Sequence, residues 1–285
     1  MREQIDAYPD KVLIGEMYVP TDKVVDYYGH DNRGAHLPGN FQLLLASWNA
    51  REIALGIDKY EGALPNDAWP NWVIGNHDRP RVATRYGKEQ ARLAAVLLLT
   101  LRGTPTLYYG DELGMRNVPI PPDQVVDPQG LNGGESRDPQ RTPMQWDDGP
   151  NAGFTTGEPW LPLAEGYRAE NVQVQRDDPA SMLSLYRRLL ALRRAEPALH
   201  LGTYAPVPVD GDLIAYLREA GKERFLVVLN LGDASAEFKP DPFPFRGRIA
   251  LGTDHRREGE EASNAVKLAG NEGVVIALVP GDDNA

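Results

Sequence analysis

Two places in this sequence pair an apolar run with groups able to move protons. Glu16 follows Val12-Leu13-Ile14-Gly15, and Asn76-His77-Asp78 follows Trp72-Val73-Ile74-Gly75. A short, continuously apolar run reads as a strand buried on both faces of a parallel sheet. A carboxylate at its end leaves the core and faces a cleft, partly desolvated. Desolvation raises a carboxyl pKa, which suits a general acid near neutral pH. Neither signal decides alone: the chain holds 41 acidic residues, most expected on solvated surface, and an Asn-His-Asp triplet also serves as a loop cap. The 62 positions between Glu16 and Asp78 are enough for a loop, a strand, a helix and another strand. That is the spacing of two carboxylates on alternate strands of one parallel sheet.

The elements that must hold these groups are legible as alternating patterns. Arg2–Tyr8 reads as the tail of a helix, Val12–Gly15 as a first strand, and Phe41–Leu45 as a second buried strand. Arg51 to about Tyr60 reads as a helix, Trp72–Gly75 as a third strand, Lys88–Leu101 as an apolar helix, and Thr104–Tyr108 as a fourth strand. Four strand–helix alternations with short links imply a parallel sheet with right-handed crossovers. In (β/α) barrels the C-terminal strand ends form the catalytic rim, where Glu16 and Asp78 both fall. Met115–Val174 is dense in Pro, Gly, Asn and Asp, too long for a simple connection, and is expected to fold over that rim and make a pocket. An amphipathic helix follows, with Asp178 as N-cap and Pro179 in first position. Past Pro197, Leu213–Leu217, Phe225–Leu229, Arg248–Leu251 and Val274–Val279 read as short antiparallel strands. The expected boundary lies near residue 198, giving domains 1–197 and 198–285.

Composition narrows the classes. With 41% hydrophobic residues the 285-residue chain can bury a sizeable core. The formal charge of −11 disfavours nucleic acid and anionic membrane surfaces as partners. The longest apolar stretches, such as Leu93–Leu101, fall far short of the ~20 residues of a membrane span. There is no cysteine, so no disulfide, thiolate nucleophile or cysteine metal site. No apolar signal region follows the opening Met-Arg-Glu-Gln-Ile-Asp, and a cytoplasmic location is expected, although Met1 falls in the middle of an element. No cofactor and no metal is expected within these residues. His30 and His36 read as loop residues, and the oligomeric state stays open.

Val12–Met17 and Val73–Arg81 resemble two sequence regions of the α-amylase superfamily, glycoside hydrolase family 13. Gly103–Gly114 resembles that family's last barrel strand and its loop. Arg137–Trp146 followed by Gly153-Phe154 resembles the α-glucosidase and oligo-1,6-glucosidase branch, with its trehalose synthase and sucrose isomerase relatives. The four stretches occur in family order across nearly the whole chain. The fold this implies is α/β: the C-terminal half of a (β/α)8 TIM barrel, strands five to eight, followed by a small antiparallel β-sandwich domain. By the same resemblance Glu16 is the general acid/base, Asp78 the second carboxylate, His77 a hydrogen-bond donor to the sugar, and Arg141 a cationic group closing the pocket at the non-reducing end. A structural ion pair is the competing reading for Arg141.

A retaining mechanism also needs a nucleophile about 5–5.5 Å from the acid. The family's Gly-Phe-Arg-x-Asp-type motif, which carries it, is not in this sequence, nor is its Asp-x-x-x-Asn-His region. The expectation is therefore a fragment of a retaining α-glucosidase that acts on terminal α-linked glucose of short oligosaccharides, lacking the nucleophile half and catalytically incomplete alone. The alternatives are a transglycosylase or isomerase of the trehalose synthase type, and a non-catalytic carbohydrate-binding relative. The choice between α-1,4 and α-1,6 linkage is not legible here.

Overall fold

The computed structural model describes residues 1–241 and 244–279. Four parallel strands, β1 (Ile14–Met17), β2 (Leu37–Asn40), β3 (Asn71–Val73) and β4 (Thr104–Thr106), form one sheet in sequence order. A six-stranded sheet follows, built from β5 (Thr203–Pro206), β6 (Leu213–Ala220), β7 (Glu223–Asn230), β9 (Arg246–Gly252), β10 (Glu261–Ser263) and β12 (Glu272–Leu278) in the order β10-β9-β12-β7-β6-β5. All its neighbours run antiparallel. The short strands β8 (Ala236–Phe238) and β11 (Val266–Leu268) pair separately. The chain is thus a mixed α/β structure with a parallel sheet first and antiparallel sheets after it.

Three long helices fill the space between the sheets: α1 (Ala50–Ala63), α2 (Val82–Thr100) and α3 (Met182–Ala195). Asn49 caps α1 by accepting from the Glu52 amide at 2.9 Å. Ile53, Ile57 and Tyr60 of α1, Leu93 and Leu97 of α2, and Leu185 and Leu189 of α3 join one buried cluster. Trp72 and Ile74 reach it from the parallel side, and Tyr216, Val227 and Val275 from the antiparallel side. One buried cluster thus draws on residues from both sides of position 198. The other face of the six-stranded sheet has its own core, in which Leu226, Val228 and Ile276 meet Phe238, Val266 and Leu268 of the small sheet.

The C-terminus of α2 shows how tightly the regions are joined. Arg193 of α3 donates to Leu99 O at 2.9 Å and Leu101 O at 3.0 Å. Arg218 of β6, with no exposed surface, donates to Thr100 O and, at 3.0 Å each, to Gly202 O and Thr203 O. These guanidiniums satisfy carbonyls that the helix end leaves unpaired, at the pole where positive charge is favoured. Burial pushes the Arg218 guanidinium down to about 10, with Arg193 adding to the effect.

Several expectations are corrected. Phe41–Leu45 is not a strand: β2 precedes it, and Gln42–Leu45 is a helical turn. Asn40 Oδ1 accepts the Gln42 amide at 3.0 Å, which ends the strand, and three leucines without a β-branched residue favour helix. The third helix begins at Met182, not Pro179. Ser181 Oγ accepts the Ser184 amide at 3.0 Å, while Asp178 closes a preceding turn by accepting from Ala180 N. The helix expected from Lys88 starts earlier, at Val82, but breaks at Gly87 with φ 86°, so its regular part does begin at Lys88. Only short turns, no long helix, connect β1 to β2. Finally, β1 is an edge strand and is not buried on both faces, since Ile14 is 60% exposed.

Candidate active site

Alternation along β3 decides which way the strand ends point. Trp72 and Ile74 pack toward the helices, while Val73 lies on the opposite face with Phe41 and Leu44. Asn71, also on that face, is buried and donates to Thr106 Oγ1 at 3.0 Å. On β1, Met17 packs toward the helices, so Ile14 and Glu16 share the other face. Glu16 is exposed, which corrects the expectation of partial desolvation, and it makes no hydrogen bond or ion pair among the described residues. The physical reason is its place on an edge strand with nothing described beyond it.

The turn after β3 is built by Asn76. Its Oδ1 accepts from the Asp78 and Arg79 amides, each at 3.1 Å, and its Nδ2 donates to Tyr18 Oη at 2.9 Å. Tyr18 lies two residues beyond Glu16 and packs on Phe41 with ring centroids 4.4 Å apart. Glu16 and Asp78 thus stand at the same end of the sheet, on strands separated by β2, with Tyr18 and Asn76 bridging the two strand ends.

Asp78 is bordered by two guanidiniums and an imidazole. Arg137 Nη1 and Arg141 Nη2 each donate to its Oδ1 at 3.1 Å, and His77 Nε2 lies 3.4 Å from the same oxygen. Both hydrogen bonds fall on Oδ1, and Oδ2 accepts none among the described residues. Arg141 also donates through Nε to the His77 carbonyl at 3.0 Å. The sequence singles out Arg141, which the structure sets against Asp78, but overlooks Arg137. The overlooked signal was spacing: two arginines four apart astride the short helical turn Asp138–Gln140 point the same way.

Asp127 and Asp138 fold the loop that delivers both arginines. Asp138 Oδ2 accepts from the amides of Val126 at 2.8 Å and Asp127 at 2.9 Å. Buried Asp127 accepts from Arg137 through Nε at 2.9 Å and Nη2 at 2.7 Å, and from the Arg137 amide at 2.7 Å. The Arg137 side chain holds the Asp127 carboxyl well below the usual carboxylate range. This segment also walls a cavity of about 520 Å³, in which Asp78 and Tyr18 face Gln129, Glu135, Arg137 and Gln140. Glu16 is not among the lining residues. His36 is structural, its Nδ1 accepting the Leu13 amide at 2.9 Å, and His30 is exposed beside Asp31.

Exposed Glu16 thus stands at the same end of the sheet as Asp78, and Asp78 borders the cavity. The family description "Alpha amylase, catalytic domain" matches residues 1–202. The chain belongs to the α-amylase family. Within it the similarity falls in the α-glucosidase branch of glycoside hydrolase family 13. Maltase A1 of Drosophila melanogaster is 38% identical over 252 residues, 82% of this chain and 44% of that protein. Oligo-1,6-glucosidase of Parageobacillus thermoglucosidasius is 31% identical over 250 residues, 78% of this chain and 44% of that one. Among solved structures, trehalulose synthase MutB from Pseudomonas mesoacidophila MX-45 superposes with a TM-score of 0.87 at 27% identity, covering 98% of this chain and 57% of that one. The chain spans about half the length of the curated relatives it matches. Among the described residues no helix is long and apolar enough to cross a membrane.

Proposed function

We propose that this chain carries the acid/base half of a retaining α-glucosidase site, acting on terminal α-linked glucose of short oligosaccharides. The parallel sheet then corresponds to strands five to eight of a (β/α)8 barrel over residues 1–197, with an antiparallel β-sandwich domain over 198–285. The observation that carries the reading is Asp78, gripped on one oxygen by Arg137 and Arg141 and open on the other beside the cavity.

In this mechanism Glu16 protonates the glycosidic oxygen and then takes a proton from the incoming water. Its lack of partners leaves it free to reorient between those steps. Asp78 is held in place by two guanidiniums. Its Oδ2 accepts sugar hydroxyl protons, and its charge stabilises an oxocarbenium-like transition state. His77 donates to the same sugar, and Arg141 closes the non-reducing end. The nucleophile belongs to a Gly-Phe-Arg-x-Asp-type motif, which this sequence does not contain. A cytoplasmic location fits the cysteine-free composition.

The test is 4-nitrophenyl α-glucoside with the purified chain, alone and mixed with a polypeptide carrying that motif. The chain alone is expected to bind maltose but turn over at background. The mixture is expected to show turnover that Glu16→Gln abolishes. A chain whose maltose binding ignores Asp78→Ala defeats the reading of the site. Full turnover by the chain alone defeats its incompleteness.

A second reading, glucosyl transfer or isomerisation, is favoured by the similarity to trehalulose synthase. Product analysis on maltose and sucrose separates the two, since hydrolysis releases free glucose and isomerisation retains the disaccharide.

A further inference from the structure

The turn that presents Asp78 rests on a buried polar cluster outside the sugar cavity. Asp111 follows Gly110, whose φ of 88° favours glycine, and opens the short turn Asp111–Leu113. Its Oδ2 lies 3.0 Å from where a Cβ on Gly75 would stand, so this carboxyl sits directly beneath the residue that leads into Asn76. At the other foot of the turn is Arg81, 1% exposed. Its Nη1 donates to Tyr109 O at 2.5 Å, and its amide donates to Asn117 Oδ1 at 2.9 Å. Arg85 Nη2 donates to the Ile74 carbonyl, holding the strand end from below. Asp111 Oδ2, Arg81 Nε and Arg81 Nη2 have no hydrogen-bond partner among the described residues. The cavity beside Asp111 holds about 10 Å³, room for about one water and too little to hydrate a carboxylate.

We infer that Asp111 is a positioning residue for the Gly75–Arg81 turn, its buried carboxyl occupying the space beneath Gly75 at one foot and its charge acting on buried Arg81 at the other, so that it sets where Asp78 sits. This deepens the reading of Asp78 as a site residue and rests on it. The groups around Asp111 are Arg81 and Arg85 from the turn and α2, Glu112 and Tyr108 from its own segment, and Tyr186 from α3. Burial pushes Asp111 up to about 7, Arg81 pulls it back, and Glu112 raises it. Only the charged form attracts Arg81, so the turn is expected to shift as Asp111 titrates.

Nuclear magnetic resonance on the full chain with ¹³C-labelled aspartate tests this between pH 5 and 9. The Asp111 carboxyl carbon and the amides of Gly75, Asn76, Asp78 and Arg81 are expected to shift with one shared midpoint. That transition should survive His77→Gln, vanish in Asp111→Asn, and move in Gly75→Ala. It is overturned if the turn amides stay fixed while Asp111 titrates, if Asp111 does not titrate in this window, or if the transition persists in Asp111→Asn. Should Asp111→Asn fail to fold, wild type and His77→Gln still decide: a shared midpoint supports the role, and midpoints more than about one pH unit apart defeat it. Maltose binding on the same samples tests the sugar reading separately. Coupling without binding leaves Asp111 in its role and removes the glycosidase assignment.

Discussion

The parallel and antiparallel sheets of this chain bury their apolar residues very differently. In the six-stranded sheet, Val227, Val228, Val274 and Ile276 have no exposed surface, because the long helices cover one face and the small sheet with its loops covers the other. At the edges of the parallel sheet, Val12 and Ile14 on one side and Leu107 on the other stay exposed. Stability is thus concentrated where α2, α3 and the antiparallel strands meet. The groups suited to catalysis stand on the thinly packed rim. Unpartnered carboxyls and half-open cavities are tolerated there because little of the core depends on them.

This contrast assigns each substitution mainly one kind of effect. Glu16→Gln should lower turnover of the reconstituted enzyme by about 10³-fold. It should leave the melting temperature within ~1 °C, since its exposed side chain touches nothing described; calorimetry beside the kinetic assay checks both. Arg218→Met should do the reverse. Three backbone carbonyls lose their donor, at a cost of roughly 3 kcal/mol measured by urea unfolding. Its maltose affinity should stay within about threefold of wild type.

Asp127→Asn tests the border between the regions. Freed from Asp127, Arg137 should hold Asp78 less firmly, weakening maltose binding by about tenfold, ~1.4 kcal/mol. Because the folded-state pKa of Asp127 is depressed, its contribution to stability is present above the unfolded carboxyl value. That contribution is lost as pH falls below it. The variant's stability should therefore fall less steeply below about pH 4 than that of wild type, as read by unfolding at successive pH values. Ile14→Ser should be the mildest, within ~0.5 kcal/mol, as for an exposed position. A cost above about 2 kcal/mol in this chain would show that the rim is as well packed as the interior.

What the sequence disclosed follows from the same contrast. Strands near Gly15 and just before Gly75, the apolar helix after Lys88 and the paired runs around Leu213–Leu217 and Phe225–Leu229 were legible because their patterns are local and repeated. Phe41–Leu45 was misread because a short apolar run does not by itself distinguish strand from helix. The N-cap was misplaced by three residues because Asp178 and Ser181 both carry capping side chains, and only the packing of Met182 selects between them. Arg137 escaped notice because its task depends on Asp127 and Asp138, which are brought to it by amide contacts that have no sequence period. The exposure of Glu16 was hidden for a related reason: burial depends on neighbours across the sheet, whereas the strand's own residues report only its alternation.

The guanidiniums of Arg193 and Arg218 have a bearing on modularity. Residues 1–202 match the family's catalytic domain, yet the Thr100 carbonyl at the end of α2 is paired by a side chain from β6, beyond that limit. The antiparallel portion is therefore no detachable appendage. Trimming the chain to the matched length would leave that helix end with Arg193 alone and lay bare the leucines beneath it, and the trimmed polypeptide should aggregate rather than persist as a free-standing module.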